Sequence, residues 1–283
     1  MVEQLLNGVV YGCLLLILAS GLVLIYGLRQ IVNFAHGGFY TIGAYITFNV
    51  AQEWGYWIGL LCGVAVLVPI GVALDRWCFR PLEDRPHLSI LIVTFGLYLV
   101  IEDLVQTVWG KENYGLPPPP GLDHELFFGN IEVPAYRVFI IFVGLLAAAC
   151  LQIWLRGTRT GLFVRAASTN SLATGMQGVN TERLSMIVVG IGAGMAGLAG
   201  GIAAPLLTLS PTMGDGIMID CFVVVVVGGL GSFGGAFVAA MLLGQIQTFG
   251  AVYLPQLASM LPFLVMAGVL VWRPTGFAGE RST

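Results

Sequence analysis

The sequence predicts an all-α, polytopic bundle of membrane-spanning helices, and three observations lead there. Apolar residues make up 57% of the chain and charged residues 10%, whereas a soluble domain is near half apolar and about a quarter charged. Mean hydropathy is +0.90. Apolar stretches of about 20 residues, the helical width of a bilayer core, recur from one end to the other. They give nine spans, at 5–27, 34–51, 57–75, 88–109, 136–155, 184–207, 217–234, 235–254 and 256–272. Several are short and interrupted by glycine, so a count of eight to ten fits the pattern. All belong to one transmembrane domain covering 1–283.

The first span has no basic segment before it and no small-residue cleavage site after it, so it reads as a retained helix rather than a signal peptide. It runs into "RQIVNFAHGGFY", residues 29–40. Asparagine is a favoured N-cap, and Asn33 stands where the second span begins. His36 falls in the first turn, and Gly37-Gly38 admit a neighbouring backbone. One reading is a capped, tightly packed helix start. The other is a helix that begins inside the membrane and aims its positive end into a pathway, where an anionic group could meet it; Asn33, His36, Gly37 and Tyr40 would then line it. A histidine at that positive end is not expected to carry protons.

Three acids fall within apolar runs: Glu102 and Asp103 in the outer part of the fourth span, and Asp220 near the start of the seventh. Intramembrane carboxylates are costly and by default mark function. These line a pathway or face an external vestibule. The connection at 110–135 contains "GLPPPPG" (115–121), a stiff polyproline stretch suited to a lid or docking rim.

The connection at 156–183 is polar and includes "RAASTNSLATGMQGVNTERL" (165–184). Leu172, Met176 and Val179, at spacings of four and three, make an apolar stripe on an otherwise polar helix. Such a helix lies flat on the membrane or fits a groove on a cytoplasmic partner; the second reading accounts better for the stripe. In "VVGGLGSFGGAFVAAMLLG" (226–244), Gly231 and Gly235 form a small-xxx-small pair, as Gly190 and Gly194 do upstream. Helix packing accounts for these and for Gly228 and Gly229. Spans on either side of the fifth would run in opposite senses, as in an inverted repeat, with Gly-rich breaks at 36–38 and 228–235 as its echo.

Alternating spans place ten arginines on one side: Arg29, Arg76, Arg80, Arg85, Arg156, Arg159, Arg165, Arg183, Arg273 and Arg281. The other side has Lys111 and Arg137 against Glu3, Glu53, Glu112, Asp123, Glu125, Glu132 and Asp215. The arginine side is therefore the cytoplasm, with the C-terminus inside and the N-terminus outside.

Several functions are excluded. Lys111 is the single lysine, and glutamate follows it, so there is no G-x-x-x-x-G-K-[ST] phosphate loop. No H-E-x-x-H, catalytic G-x-S-x-G or Cys/His metal cluster occurs. The five cysteines, Cys13, Cys62, Cys78, Cys150 and Cys221, lie in or beside apolar runs and suit packing rather than disulfides. The net charge of −3 argues against nucleic acid. No enzyme activity, metal or resident cofactor is expected.

Four blocks, in order along the chain, carry a family resemblance. "GLRQIVNFAHGGFYTIGAY" (27–45) resembles the N-F-A-H-G block of permease subunits of branched-chain amino-acid ABC importers, specifically the shorter of the two kinds such importers pair. "RAASTNSLATGMQGVN" (165–180) resembles their R-A-…-G-[IV]-N loop, "GGLGSFGGAFVAAMLLG" (228–244) their G-G-x-G-S-x-x-G-A pattern, and "RPTGFAG" (273–279) their C-terminal signature. The resemblance implies a half-pore in a bacterial inner membrane, surrounded by lipid and paired with a related permease as a heterodimer. It implies two cytoplasmic ATP-binding subunits, which hold the ATP and magnesium, and an extracytoplasmic solute-binding protein.

The residues coupled to the ATPases would be Arg165, Ala166, Asn170, Leu172, Met176, Gly178, Val179 and Asn180. Gly38 stands where the family often has an acid, and Thr174 and Gln177 replace small or apolar residues. The rival class is an ion-coupled secondary transporter or channel, which would be expected to place a charge pair at mid-membrane. An intramembrane enzyme would need a nucleophile beside a base, and nothing in the sequence brings the two together.

Overall fold

The computed structural model describes residues 1–82, 85–128 and 131–278; Gly279 of the C-terminal block and Arg281 of the arginine set lie outside the described residues. The chain is helical from its first turn. The helices are α1 (Val2–Arg29), α2 (Ala35–Trp54), α3 (Tyr56–Leu74), α4 (His87–Trp109), α5 (Ala135–Gly157), α6 (Arg159–Thr169), α7 (Ser171–Met176), α8 (Thr181–Ala203), α9 (Met213–Gly228), α10 (Phe233–Tyr253) and α11 (Leu261–Trp272). Six are long and apolar enough to cross a membrane: α1, α3 with the turns that extend it to Leu82, α4, α5, α8 and α10. Helices α2, α9 and α11 take the places of the other three expected spans but are shorter or less apolar.

The core is built around α1 and α8. Helix α1 is almost continuously buried from Val10 to Ile25, and α8 from Val188 to Ala203. Glycine makes this possible, because without a hydrophobic drive between helices in lipid, close backbone approach supplies the contact. A Cβ at Gly12 would come within 3.0 Å of the Ala240 carbonyl on α10, and one at Gly144 of α5 within 2.8 Å of Cys13. Gly190 and Gly194 lie against Val72 and Val68 of α3. Helix α2 is wedged between α3 and α8, with Gly43 against Gly197 and the Tyr40 carbonyl against Gly200. Gly55, at φ 88°, is the whole connection between α2 and α3.

The start of α2 is unusual. Helix α1 ends at Arg29, Gln30 adopts a left-handed φ of 53°, and residues 30–34 fold back along α1. His36 consequently lies beside Leu18, eleven residues (29 minus 18) before the end of α1. At 1.5 Å per residue that is about 16 Å back from its end. Helix α2 thus begins near the middle of α1.

Three expectations need correction. The span at 217–234 ran across a turn: α9 covers Met213–Gly228, and residues 229–232 connect it to α10. The reason is backbone conformation, since Gly229 and Gly231 have φ of 99° and 83°, values that glycine tolerates and a helix cannot continue through. Gly229 and Gly231 therefore make the turn rather than pack helices, and Gly231 does not form a helical pair with Gly235. Gly228 and Gly235 do meet in close backbone contact. The last span is a single turn at Ala258–Met260 followed by the 12-residue α11. The connection at 110–135 contains an unexpected hairpin, β1 (Glu125–Phe128) and β2 (Ile131–Pro134), in which Leu126 pairs with Val133. Leu116 and Leu122, flanking the prolines, pack onto the core.

Candidate functional site

The residues expected to line a pathway divide into two groups. The first, around the start of α2, lies inside the packed bundle: Asn33, His36, Gly37 and Tyr40 are all buried. Asn33 Oδ1 accepts the Ala35 N–H at 3.1 Å, but Phe34 holds the N-cap position and no side chain caps it, so Asn33 stands one residue before the cap expected of it. His36 Nε2–H donates to the Leu18 carbonyl at 3.0 Å. Gly37 lets Gly214 and Met218 of α9 come close; a Cβ there would lie 2.9 Å from Met218 Cβ. Among the described residues, Asn33 Nδ2, His36 Nδ1 and the Tyr40 hydroxyl find no hydrogen-bond partner. These residues assemble α2 against α1, α8 and α9 and line no open surface of this chain.

Asp220 also belongs to the interior, 4% exposed. It accepts from the Tyr11 hydroxyl of α1 at 2.6 Å and from Gln247 Nε2 of α10 at 3.0 Å. Its carboxylate ties α9 to two neighbours, and its assignment to an open pathway is corrected accordingly.

Glu102 and Asp103 lie on a different helix, α4, near which the first turn of α9 is held by Tyr98. Asp215, one of the acids expected on the outer side, lies nearby in the first turn of α9. Tyr98 donates to Asp215 at 2.5 Å, and Gln106 to Glu102 at 3.1 Å. Asp103 and Asp215 are exposed and Glu102 is half-buried. Among the described residues none of the three pairs with a cation. Carboxylates on the outside of a membrane bundle are costly against lipid, so water, a polar solute or another protein must cover this face. Gly38 abuts Ile101 of α4, one residue from Glu102.

At the arginine-rich end, α6, α7 and α8 form a stepped surface whose corners are set by side-chain caps. Thr158 accepts from Gly161 at 3.0 Å, Asn170 from Ala173 at 2.9 Å and Asn180 from Arg183 at 2.9 Å. Each satisfies an N–H that a helix start leaves free. Arg165 donates to the Leu155 carbonyl, and the Ala166 carbonyl accepts the Asn170 N–H. On α7, Leu172 is 77% and Met176 84% exposed. Val179 departs from the expected stripe: α7 ends at Met176, Gly178 turns the chain at φ 83°, and Val179 packs against the core beside Leu184.

A polar cluster that the sequence reading missed lies behind α7. Arg29 pairs with Asp75 at 2.6 Å, and Ser185 donates to the same carboxylate oxygen at 2.9 Å. Arg80 pairs with Glu182 nearby. The sequence signal was an acid at the end of the third apolar run and an arginine just after the first.

The chain matches the family model described as the permease component of the branched-chain amino acid transport system, over residues 4–270. It is 26% identical to the Escherichia coli high-affinity branched-chain amino acid transport system permease protein LivH, across 98% of this chain and 95% of that one. Against the corresponding BraD protein of Pseudomonas aeruginosa the identity is 28%, with the same coverage. It is also 26% identical to the E. coli permease protein LivM, over 92% of this chain and 67% of LivM.

Proposed function

The chain belongs to the family of branched-chain amino acid transport permease components, and from that premise we propose that it is the shorter permease of a two-permease importer driven by separate ATPase subunits. Its likeness to both LivH and LivM supports pairing with a second, related permease. The solute is a branched-chain amino acid, delivered by an extracytoplasmic binding protein. The acids Glu102, Asp103 and Asp215 occupy the α4–α9 face, where they would attract the solute's ammonium group. ATP and magnesium are held by the partner subunits.

The observation that carries this reading is α7. Leu172 and Met176 project from a polar, capped end of the molecule, 77% and 84% exposed among the described residues. Such a helix fits a groove on a cytoplasmic subunit, and its neighbours Arg165, Ala166, Asn170, Gly178 and Asn180 hold it in place. The test is to purify the tagged chain in mild detergent, identify what accompanies it and assay ATP hydrolysis. Two ATPase chains and a second permease, with hydrolysis stimulated by a leucine-loaded binding protein, are expected. A chain that purifies alone and drives leucine uptake without ATP would overturn the assignment in favour of an ion-coupled transporter.

A further inference from the structure

We propose that the Arg29–Asp75–Ser185 cluster is the mechanical link through which movement of α7 reaches the start of α2. The proposal rests on the importer reading above and adds the positioning residues that would transmit the stroke.

The cluster joins three segments that are otherwise remote in sequence. Arg29 is the last residue of α1, and Gln30 with its left-handed φ follows it at once. The next few residues lead to the α2 start, where Asn33 and His36 are buried. Asp75 opens a π-helical turn, Asp75–Phe79, at the end of α3. Such turns are rare and often sit at functional sites. Ser185 is in the second turn of α8, five residues after the Asn180 cap and nine after α7 ends at Met176.

The side chains of Arg29 and Asp75 are 6% and 2% exposed, so the pair is shielded from water. Two charges held at 2.6 Å away from solvent attract strongly. Drawing Asp75 away from Arg29 would take the cation from a buried carboxylate that Ser185 also holds, so the three segments should move as one body. A cleft of about 170 Å³ opens beside the cluster, bounded by Arg76, Ser171 of α7 and Glu182 of α8. A push on α7 would therefore pass along the first turns of α8 to Asp75 and Arg29, and turn the chain about Gln30 at the mouth of α2.

The experiment follows the response at residue 32, whose carbonyl lies 3.5 Å from the Thr94 hydroxyl of α4. Val32→Cys is placed in a chain whose five native cysteines are replaced, and the complex is purified with its partners. Maleimide labelling of that cysteine is timed with and without ATP and vanadate. In the otherwise native sequence the labelling rate should change severalfold on vanadate trapping. In R29Q/D75N, which keeps the shape and removes both charges, ATP hydrolysis should persist and the change in labelling should vanish. Ser185→Ala, the gentler variant, should diminish it.

Labelling that responds to vanadate equally in R29Q/D75N overturns the proposal. So does a reference complex whose labelling ignores nucleotide. If R29Q/D75N does not assemble, Ser185→Ala decides: a diminished response in an intact complex supports the link, and an unaltered one refutes it. Absence of ATPase chains from the reference preparation would instead remove the importer reading itself, and the link with it.

Discussion

A buried carboxylate in a helix bundle needs donors around it, and Asp220 has two, from helices on either side. Tyr11→Phe removes the shorter of these bonds without altering the packing. Loss of a hydrogen bond to a charged, desolvated group costs about 1.5–3 kcal/mol. Thermal unfolding of the variant in detergent should shift down by several degrees. An unchanged midpoint would mean that Asp220 does not depend on Tyr11. Glu102→Gln, on the outer face, should leave the midpoint in place and, on the importer reading, weaken leucine transport. At this scale the sequence was informative where chemistry is local. The local bond of Asn33 was recognisable because its partner lies two residues away, although the cap itself falls on Phe34. Asp75 was not, because its partner lies 46 residues back, and a single sequence carries no record of that pairing. For the same reason Asp220 read as an isolated acid; Tyr11 and Gln247 reach it only after three helices have packed.

Among the elements, α7 and α2 yield the sharpest expectations. Leu172→Asp or Met176→Asp places a charge on the exposed apolar tip of α7 while leaving its Asn170 cap untouched. The chain should insert and accumulate normally but bring down less ATPase on purification; full recovery of the ATPase would remove α7 from the docking surface. For α2 the test is steric. Gly200→Leu drives a side chain into the Tyr40 carbonyl, whereas Gly216 has open space around it. The first should abolish accumulation of folded protein, and Gly216→Ala should not, as judged by the monodisperse peak in detergent. The polar helix after the fifth span was readable from the Leu172–Met176 spacing, whereas the Asn170 and Asn180 caps emerged only with the fold. What misled the reading was Gly178, which ends the periodicity one step before Val179. The same residue type misled it at Gly229 and Gly231, where a run of small residues looks like packing until its backbone angles are known.

For the molecule as a whole, the arrangement of charge is the main evidence for sidedness. A phosphatase reporter inserted after Pro120 should be active only if that loop lies outside. A fluorescent protein joined to the C-terminus should be bright only if that end is cytoplasmic. Both signals are expected, and the reverse pattern would invert the assignment. Hydropathy made the class of fold and the order of the helices readable, because lipid imposes length and apolarity on each span. It could not reveal that α2 starts beside the middle of α1, since a re-entrant segment differs from a loop only in what surrounds it. The β1–β2 hairpin was hidden as well, its four-residue strands being too short to show a period.

The wedged position of α2 also has a consequence for biosynthesis. Tyr40 meets Gly200, so the groove that receives α2 does not exist until 160 further residues (200 minus 40) have been made. At about 5–20 residues per second, the ribosome takes about 8–32 s to supply them. Throughout that interval Asn33 and His36 lack the α8 surface that later encloses them, in a segment less apolar than its neighbours. A nascent chain halted before α8 should therefore leave α2 open to quality-control proteases, and one halted after Ala203 should protect it. The order in which the helices leave the ribosome thus determines how long this part of the protein must wait to fold.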